Sequence, residues 1–217
     1  MNEDSWRTLY DQTERGRVPE RSQLSTLFDA IEHHPQFHPS FWHPLGFVHM
    51  RLHALDAKSL RLHFWPAGQR RPQAPLWPIH DHIFDIRSVI LVGSVENTQY
   101  EVTRTEQSPH RIYEVKYGGG NSTLNQLTAT SDFVVSQETL IEEHATGGSY
   151  SIARTVFHKS VVPPDKRAAT LVVTSNPLPA SPRVIGETSA ALTIDVTRRP
   201  CSPEALRSIL AEFQASL

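Results

Sequence analysis

Ile79-His80-Asp81-His82-Ile83-Phe84-Asp85-Ile86-Arg87-Ser88-Val89-Ile90-Leu91-Val92-Gly93 decides how this chain is read. In extended backbone, residues i and i+2 point to the same face, about 6.6 Å apart along the chain. His80 and His82 therefore present two imidazoles to one ion, and a third ligand must come from another strand. The same parity carries Phe84, Ile86, Ser88 and Ile90 to the face of the histidines and Asp81 to the opposite one. Twelve histidines in 217 residues give roughly 0.7 His-x-His pairs by chance, so the pair gains weight only from its surroundings.

Outward from this run the chain reads as strands from Gly46 to about Thr174. Phe47–Ala54 and Ser59–Trp65 alternate apolar and polar around Asp56-Ala57-Lys58, a hairpin pattern. Gln69–Pro78, with three prolines, is a loop, and Ile79–Gly93 is one bent strand or a pair. Strands are predicted at Asn97–Arg104, Arg111–Tyr117, Phe133–Gln137, Leu140–His144, Ser149–Ala153, Val156–Val161 and Ala169–Thr174. Short strands at such intervals form a sandwich or barrel. Helices flank them. Trp6–Arg15 is one. Ser22–His33 is a second, with Leu24, Leu27, Phe28 and Ile31 on one face and Pro35 and Pro39 beyond it. Ser202-Pro203-Glu204 reads as an N-cap, a first-turn proline and an early acid, leading into the stripe Leu206, Ile209, Leu210 and Phe213. One domain is expected: residues 1–45 a helical extension, 46–177 the barrel, 178–217 a C-terminal segment and helix.

A net charge of -2 with no basic stripe argues against a nucleic-acid partner. No apolar run approaches the roughly 18 residues of a membrane helix. Met1-Asn2-Glu3-Asp4-Ser5-Trp6 is acidic and polar, unlike a secretory leader. Cys201 is the only cysteine, so no internal disulfide forms. A cytoplasmic protein is the expectation.

After His82 come three residues, Ile86, six residues and Gly93; Gly147 stands eleven residues before His158. These two runs resemble the paired motifs of cupins. The first cupin motif is His-x-His, three or four residues, Glu, six residues, Gly, and Ile86 here occupies the Glu position. The second begins with Gly and places its histidine eleven residues on; its Pro and later Gly are Ala153 and Thr155 here. An added hairpin at Tyr113–Asn125 lengthens the connection. The resemblance spans roughly Gly46–Pro177. It implies an all-β cupin, a double-stranded β-helix or jelly-roll barrel, with a metal held by His80, His82 and His158. The missing Glu, the Ile79–His82 run and the turn Phe64-Trp65-Pro66-Ala67-Gly68 resemble the cysteine-dioxygenase-like branch, whose members hold ferrous iron with three histidines. Fe(II) is thus the implied cofactor, and neutral imidazoles suit other divalent metals as well. That branch carries Ser-His-Tyr on the strand after its last ligand. Ala169-Thr170-Leu171-Val172-Val173-Thr174 has neither the His nor the Tyr, and the branch's crosslinking cysteine is absent near Arg87 and Ser88.

The resemblance implies a mononuclear non-haem iron dioxygenase acting on a small thiol or other small chelating acid with O2. A Zn, Ni or Mn isomerase, lyase or hydrolase, or a ligand-binding barrel without enzymatic activity, is the alternative. Arg51 is the nearest match to the branch's substrate-carboxylate arginine. Its neighbours His49 and His53 share its face, a pattern that equally fits a solvated strand. Arg154 is a second candidate, and Phe84, Ile86 and Ser88 complete the expected substrate pocket. The tract His33, His34, His38, His43, His49 and His53 reads as polar surface, Gly118-Gly119-Gly120 as a hairpin turn, and Glu142 with His144 as a solvated strand face. The apolar stripe of the last helix covers an outer sheet face or serves a homodimer contact.

Overall fold

Three amphipathic helices decide which face of the strands turns inward. In the computed structural model, which describes residues 1–34, 39–55, 57–118 and 123–216, they are α1 (Glu3–Glu14), α2 (Arg21–His33) and α3 (Pro203–Gln214). Asn2 caps α1 and Ser202 caps α3, each accepting a backbone N–H three residues on. Their buried residues, among them Leu9, Leu24, Leu27, Phe28, Ile31, Leu206, Ile209, Leu210 and Phe213, share one core with Val48, Met50, Leu52, Leu60, Leu62, Phe64, Val89, Leu91, Leu171 and Val173. The stripe of α3 is therefore covered within the chain. No helix among the described residues is long and apolar enough to cross a membrane.

The strands are β1 (Ser40–Trp42), β2 (Leu45–Gly46), β3 (Val48–Leu55), β4 (Lys58–Trp65), β5 (Arg71–Pro72), β6 (Asp85–Val92), β7 (Ser94–Thr105), β8 (His110–Tyr117), β9 (Leu124–Ala145), β10 (Ser149–Ile152), β11 (Phe157–Val161), β12 (Ala168–Ser175), β13 (Arg183–Glu187), β14 (Thr193–Thr197) and β15 (Arg199–Pro200). Two antiparallel sheets face each other. One runs β10-β6-β12-β4-β3-β1-β15; the other runs β11-β7-β9-β8-β13, with β14 on β9. From β6 onward the chain crosses repeatedly between the sheets, the winding of a jelly-roll. The fold is an all-β, double-sheet jelly-roll barrel with flanking helices.

Strand parity does the rest. With Val48, Met50, Leu60, Leu62 and Phe64 under the helices, His49, Arg51, Arg61 and His63 line the barrel interior. The register agrees, pairing His49 with His63 and Arg51 with Arg61. A bulge between Arg51 and His53 breaks the parity there. His53, expected on the face of Arg51, instead stacks on Trp6 at 5.4 Å and meets Glu3 at 3.3 Å. One end of the interior is closed by Phe47, Trp65, Ile90, Val95, Tyr150, Ile152, Val162 and Ala168.

Several boundaries differ from the sequence expectation. Residues 178–217 supply β13, β14 and β15, so the sheets extend past 177. The predicted pair Phe133–Gln137 and Leu140–His144 is one long strand, β9, absorbing an irregularity opposite Gln99 and Tyr100. Gln69–Pro78 holds the two-residue β5. Pro35–His38, Asp56, Gly119 and Gly120 lie outside the described residues. The motif glycines have a physical reason. Gly93 and Gly147 adopt φ of 77° and 88°, and a Cβ on Gly93 would stand 2.1 Å from the Arg167 carbonyl oxygen. Thr155, at a position where cupins place glycine, also takes a left-handed φ of 65°.

Candidate metal centre

His80 and His82 precede β6 rather than lying within it; the regular strand begins at Asp85. Their segment is held extended by its neighbours. His80 N–H donates to His158 O at 3.0 Å and His158 N–H to His80 O at 2.9 Å, a reciprocal antiparallel pair. Residues paired in this way project to the same side, so His80 and His158 converge, and His82, two residues on, joins them. The ligand nitrogens of all three lie within 4.8 Å of one another. Ring centroids are 4.6 Å apart for His80 and His158, 4.9 Å for His80 and His82, and 5.1 Å for His82 and His158.

Second contacts select the tautomers. His80 Nδ1 lies 2.8 Å from Pro78 O, and His158 Nδ1 lies 3.0 Å from Val156 O. A carbonyl only accepts, so Nδ1 carries the proton in both rings and each Nε2 keeps its lone pair, the arrangement that orients metal-bound imidazoles. His82 is held by stacking on Phe84 at 5.1 Å and 12°. Burial pushes all three pKa values down, that of His158 to about 3. The rings are neutral at physiological pH, the form a metal requires. The donor set fits a divalent ion.

Behind the triad, Asp81 is 2% exposed. Its carboxylate accepts the Arg183 backbone N–H at 2.6 Å and Nε at 2.8 Å, with Nη2 on the same oxygen as Nε. Asp81 N–H donates to Arg183 O at 2.9 Å. Arg183 also lies over the ring of Phe157, 5.0 Å from its centroid. One residue of β13 thus braces the segment bearing His80 and His82 and the residue before His158. A cleft of about 710 Å³ lined by Asp81, Glu114, Thr155, Ser181 and Arg183 lies on this outer side, not at the triad.

The residues expected around a substrate divide into two groups. Phe84 sits between His82 and Arg61, whose guanidinium is 4.6 Å from its ring centroid. Ile86 packs against the cluster that closes the barrel. Ser88 is fully buried beside Tyr150, which also meets Asn97 and Ser160. Arg51 is on the inner face but exposed. Arg154 does not join the triad: its guanidinium donates to Asn176 O at 3.0 Å and its N–H to Asp85 at 2.9 Å, tying a surface loop to the start of β6.

Sequence reasoning missed an inner wall. Arg61, on the inner face of β4, is half-buried, and its desolvation lowers its pKa. Its Nε donates to Ser59 Oγ at 3.0 Å, and among the described residues no carboxylate pairs with it. His43 and His49, expected on a polar surface, lie inside with His63; burial lowers the pKa of all three, that of His49 to about 4. Arg198, over the ring of Phe41, adds positive charge near His49 and Tyr117. The signal for this wall was the polar face of the β3–β4 hairpin. Glu142 and His144 do pair, at 3.7 Å, away from the triad's converging group.

No protein-family model and no curated protein matches this chain. Among solved structures it is similar to a cupin superfamily protein from Desulfitobacterium hafniense DCB-2, at 12% identity and a TM-score of 0.30, over 59% of this chain and 75% of that one. It is also similar to hydroxypropylphosphonic acid epoxidase from S. wedmorenis, at 10% identity and a TM-score of 0.35, over 65% of this chain and 56% of that one.

Proposed function

We propose that this cupin-fold chain is a metal-dependent enzyme that binds one divalent ion through His80, His82 and His158, and that its leading chemistry is that of a mononuclear Fe(II) dioxygenase acting on a small thiol or other small chelating acid. The observation that carries the metal reading is the convergence of three neutral imidazoles within 4.8 Å, two with Nε2 freed by a backbone acceptor on Nδ1. Ferrous iron there would supply the redox chemistry that reaction with O2 needs, and any divalent ion would supply Lewis acidity. The chain's own part is orientation and charge. Arg61 supports an anionic substrate, because a desolvated guanidinium without a carboxylate partner favours a negative group beside it. Phe84 and Ile86 give one apolar side, and Phe47, Trp65 and Val95 exclude water from the closed end.

A second reading is a Zn, Ni or Mn cupin performing isomerisation, elimination or hydrolysis. It stays open because the inner face of β12 offers Ala168, Thr170, Val172 and Thr174, without the His and Tyr that the cysteine-dioxygenase-like branch carries there. A ligand-binding barrel without catalysis is the third outcome. Metal analysis of protein purified without added metal separates the three, followed by anaerobic Fe(II) loading and oxygen uptake against thiols and small chelating acids. Iron at one per chain with substrate-dependent uptake supports the dioxygenase. Zinc or nickel with activity indifferent to oxygen supports the second reading. Full metal content in His80→Ala, His82→Ala and His158→Ala variants would sink the metal reading altogether.

A further inference from the structure

His43 differs from the metal-facing histidines in the nitrogen it commits. His80 and His158 donate from Nδ1 and leave Nε2 bare. In His43 the polarity is reversed: the Leu45 backbone N–H donates to Nδ1 at 3.2 Å. A neutral imidazole that accepts at Nδ1 carries its proton on Nε2. Burial, followed by the neighbouring His49, His80 and His63, holds His43 neutral.

The ring lies next to the histidine triad. His43 stacks on Phe47 at 4.4 Å and 14°, with its centroid 5.9 Å from His49 and 6.3 Å from His80. Its ligand atoms do not belong to the converging group of His80, His82 and His158. Among the described residues Nε2 has no hydrogen-bond acceptor, and it is not one of the sealed, unpartnered atoms of the interior. It is thus an N–H donor without an acceptor among the described residues, on a ring that packs beside His80 of the histidine triad.

We propose that His43 donates a hydrogen bond from Nε2–H to the anionic or polar ligand on the open side of the metal centre, and that it is not itself a metal ligand. This rests on the reading of the triad as a metal site. His43 comes from the turn between β1 and β2, outside both histidine motifs. The ligand class it selects is one whose donor atom beside the metal also accepts a hydrogen bond, such as a carboxylate, an oxyanion or a thiolate.

The test uses the full chain loaded with Co(II) and titrated with azide, a small anion that fills an open coordination position and accepts hydrogen bonds. Ligand-field absorption reports binding. Wild type is compared with His43→Phe and His43→Leu, which remove the donor, and with His43→Gln, whose amide restores one near the position of Nε2. All four should hold one cobalt per chain. Azide affinity should fall about tenfold in the Phe and Leu variants, as expected for one hydrogen bond to a charged group, and largely return in the Gln variant. Equal affinity in wild type and the donor-free variants overturns the proposal. So does a Gln variant as weak as Phe, or cobalt lost from the Phe and Leu variants alone, which would make His43 a ligand. Wild type that takes up no cobalt brings down the triad reading itself, a different and recognisable failure.

Discussion

Arg183→Ala should unsettle the metal centre without touching a ligand. Asp81 stands between His80 and His82, is 2% exposed, and its carboxylate depends on Arg183 for three hydrogen bonds. The substitution keeps the backbone N–H and removes both guanidinium bonds, leaving a buried carboxylate under-satisfied. Breaking such a pair from one side costs about 3–5 kcal/mol. The Arg183 side chain is 36% exposed, so water reaches part of the vacated space and the lower end, about 3 kcal/mol, is expected. For a chain of this size that is a fall in melting temperature of about 6–12 °C. The metal-free protein should be measured first, so that ligand binding does not mask the loss. Asp81→Asn/Arg183→Leu, which replaces the ion pair by neutral groups, should lose less than Arg183→Ala alone, and a double-mutant cycle should show coupling of about 2 kcal/mol or more. Metal affinity should fall about 10- to 100-fold, as for other partners that orient ligands. An Arg183→Ala variant within 1 °C of wild type, or additive effects in the cycle, would refute the bracing role.

Thr155→Gly relieves a left-handed φ of 65° and should raise stability by about 1 kcal/mol, read as 2–4 °C in thermal denaturation; a lower midpoint contradicts the strain. The inner histidines make the metal-free protein acid-labile. Their folded pKa values lie below 6.5, about 4 for His49 and about 3 for His158, so between these values and 6.5 the unfolded chain binds more protons and stability falls with pH. His158 alone contributes a slope of up to about 1.4 kcal/mol per pH unit. The urea midpoint should be level above pH 7 and drop below 6; a level profile from 7 to 5 excludes this. Phe213, fully buried against Phe64 at 4.9 Å, should cost about 3–5 kcal/mol as Phe213→Ala, with metal content per folded chain unchanged. A dimer-to-monomer change in the variant would instead place α3 in a subunit interface.

The strands were legible where one face was apolar and the turns were short. Phe47–Ala54 and Ser59–Trp65 match β3 and β4 to within one residue at every end, because alternation and turn chemistry agree there. Helix α3 could be read from Ser202, Pro203 and its stripe, since capping and periodicity are local. What lay beyond reach was non-local. The bulge at Arg51 and His53 reverses parity without a sequence signal, sending His53 to Trp6 and Glu3. The use of 178–217 in both sheets depends on strand pairing more than 60 residues apart, Arg183 with Glu114 and Thr193 with Thr128.

Histidine content alone could not sort the site, because the same residue type serves three ends here. His53 stacks outside against a helix, His80 and His158 turn bare Nε2 atoms toward one point, and His43 keeps Nε2–H beside them. The pair His80 and His82 was suggested by i, i+2 spacing, and His158 only by the resemblance of its stretch, eleven residues after Gly147, to the second cupin motif. The interior position of His49, His63 and Arg61 follows only from asking where the apolar face of the β3–β4 hairpin goes. Val48, Met50, Leu60, Leu62 and Phe64 are under three helices, so the polar face cannot be the solvated one. A polar strand face in a barrel wrapped by helices is an interior face. That step converts an apparently surface tract of histidines and arginines into an interior wall beside the His80, His82 and His158 cluster.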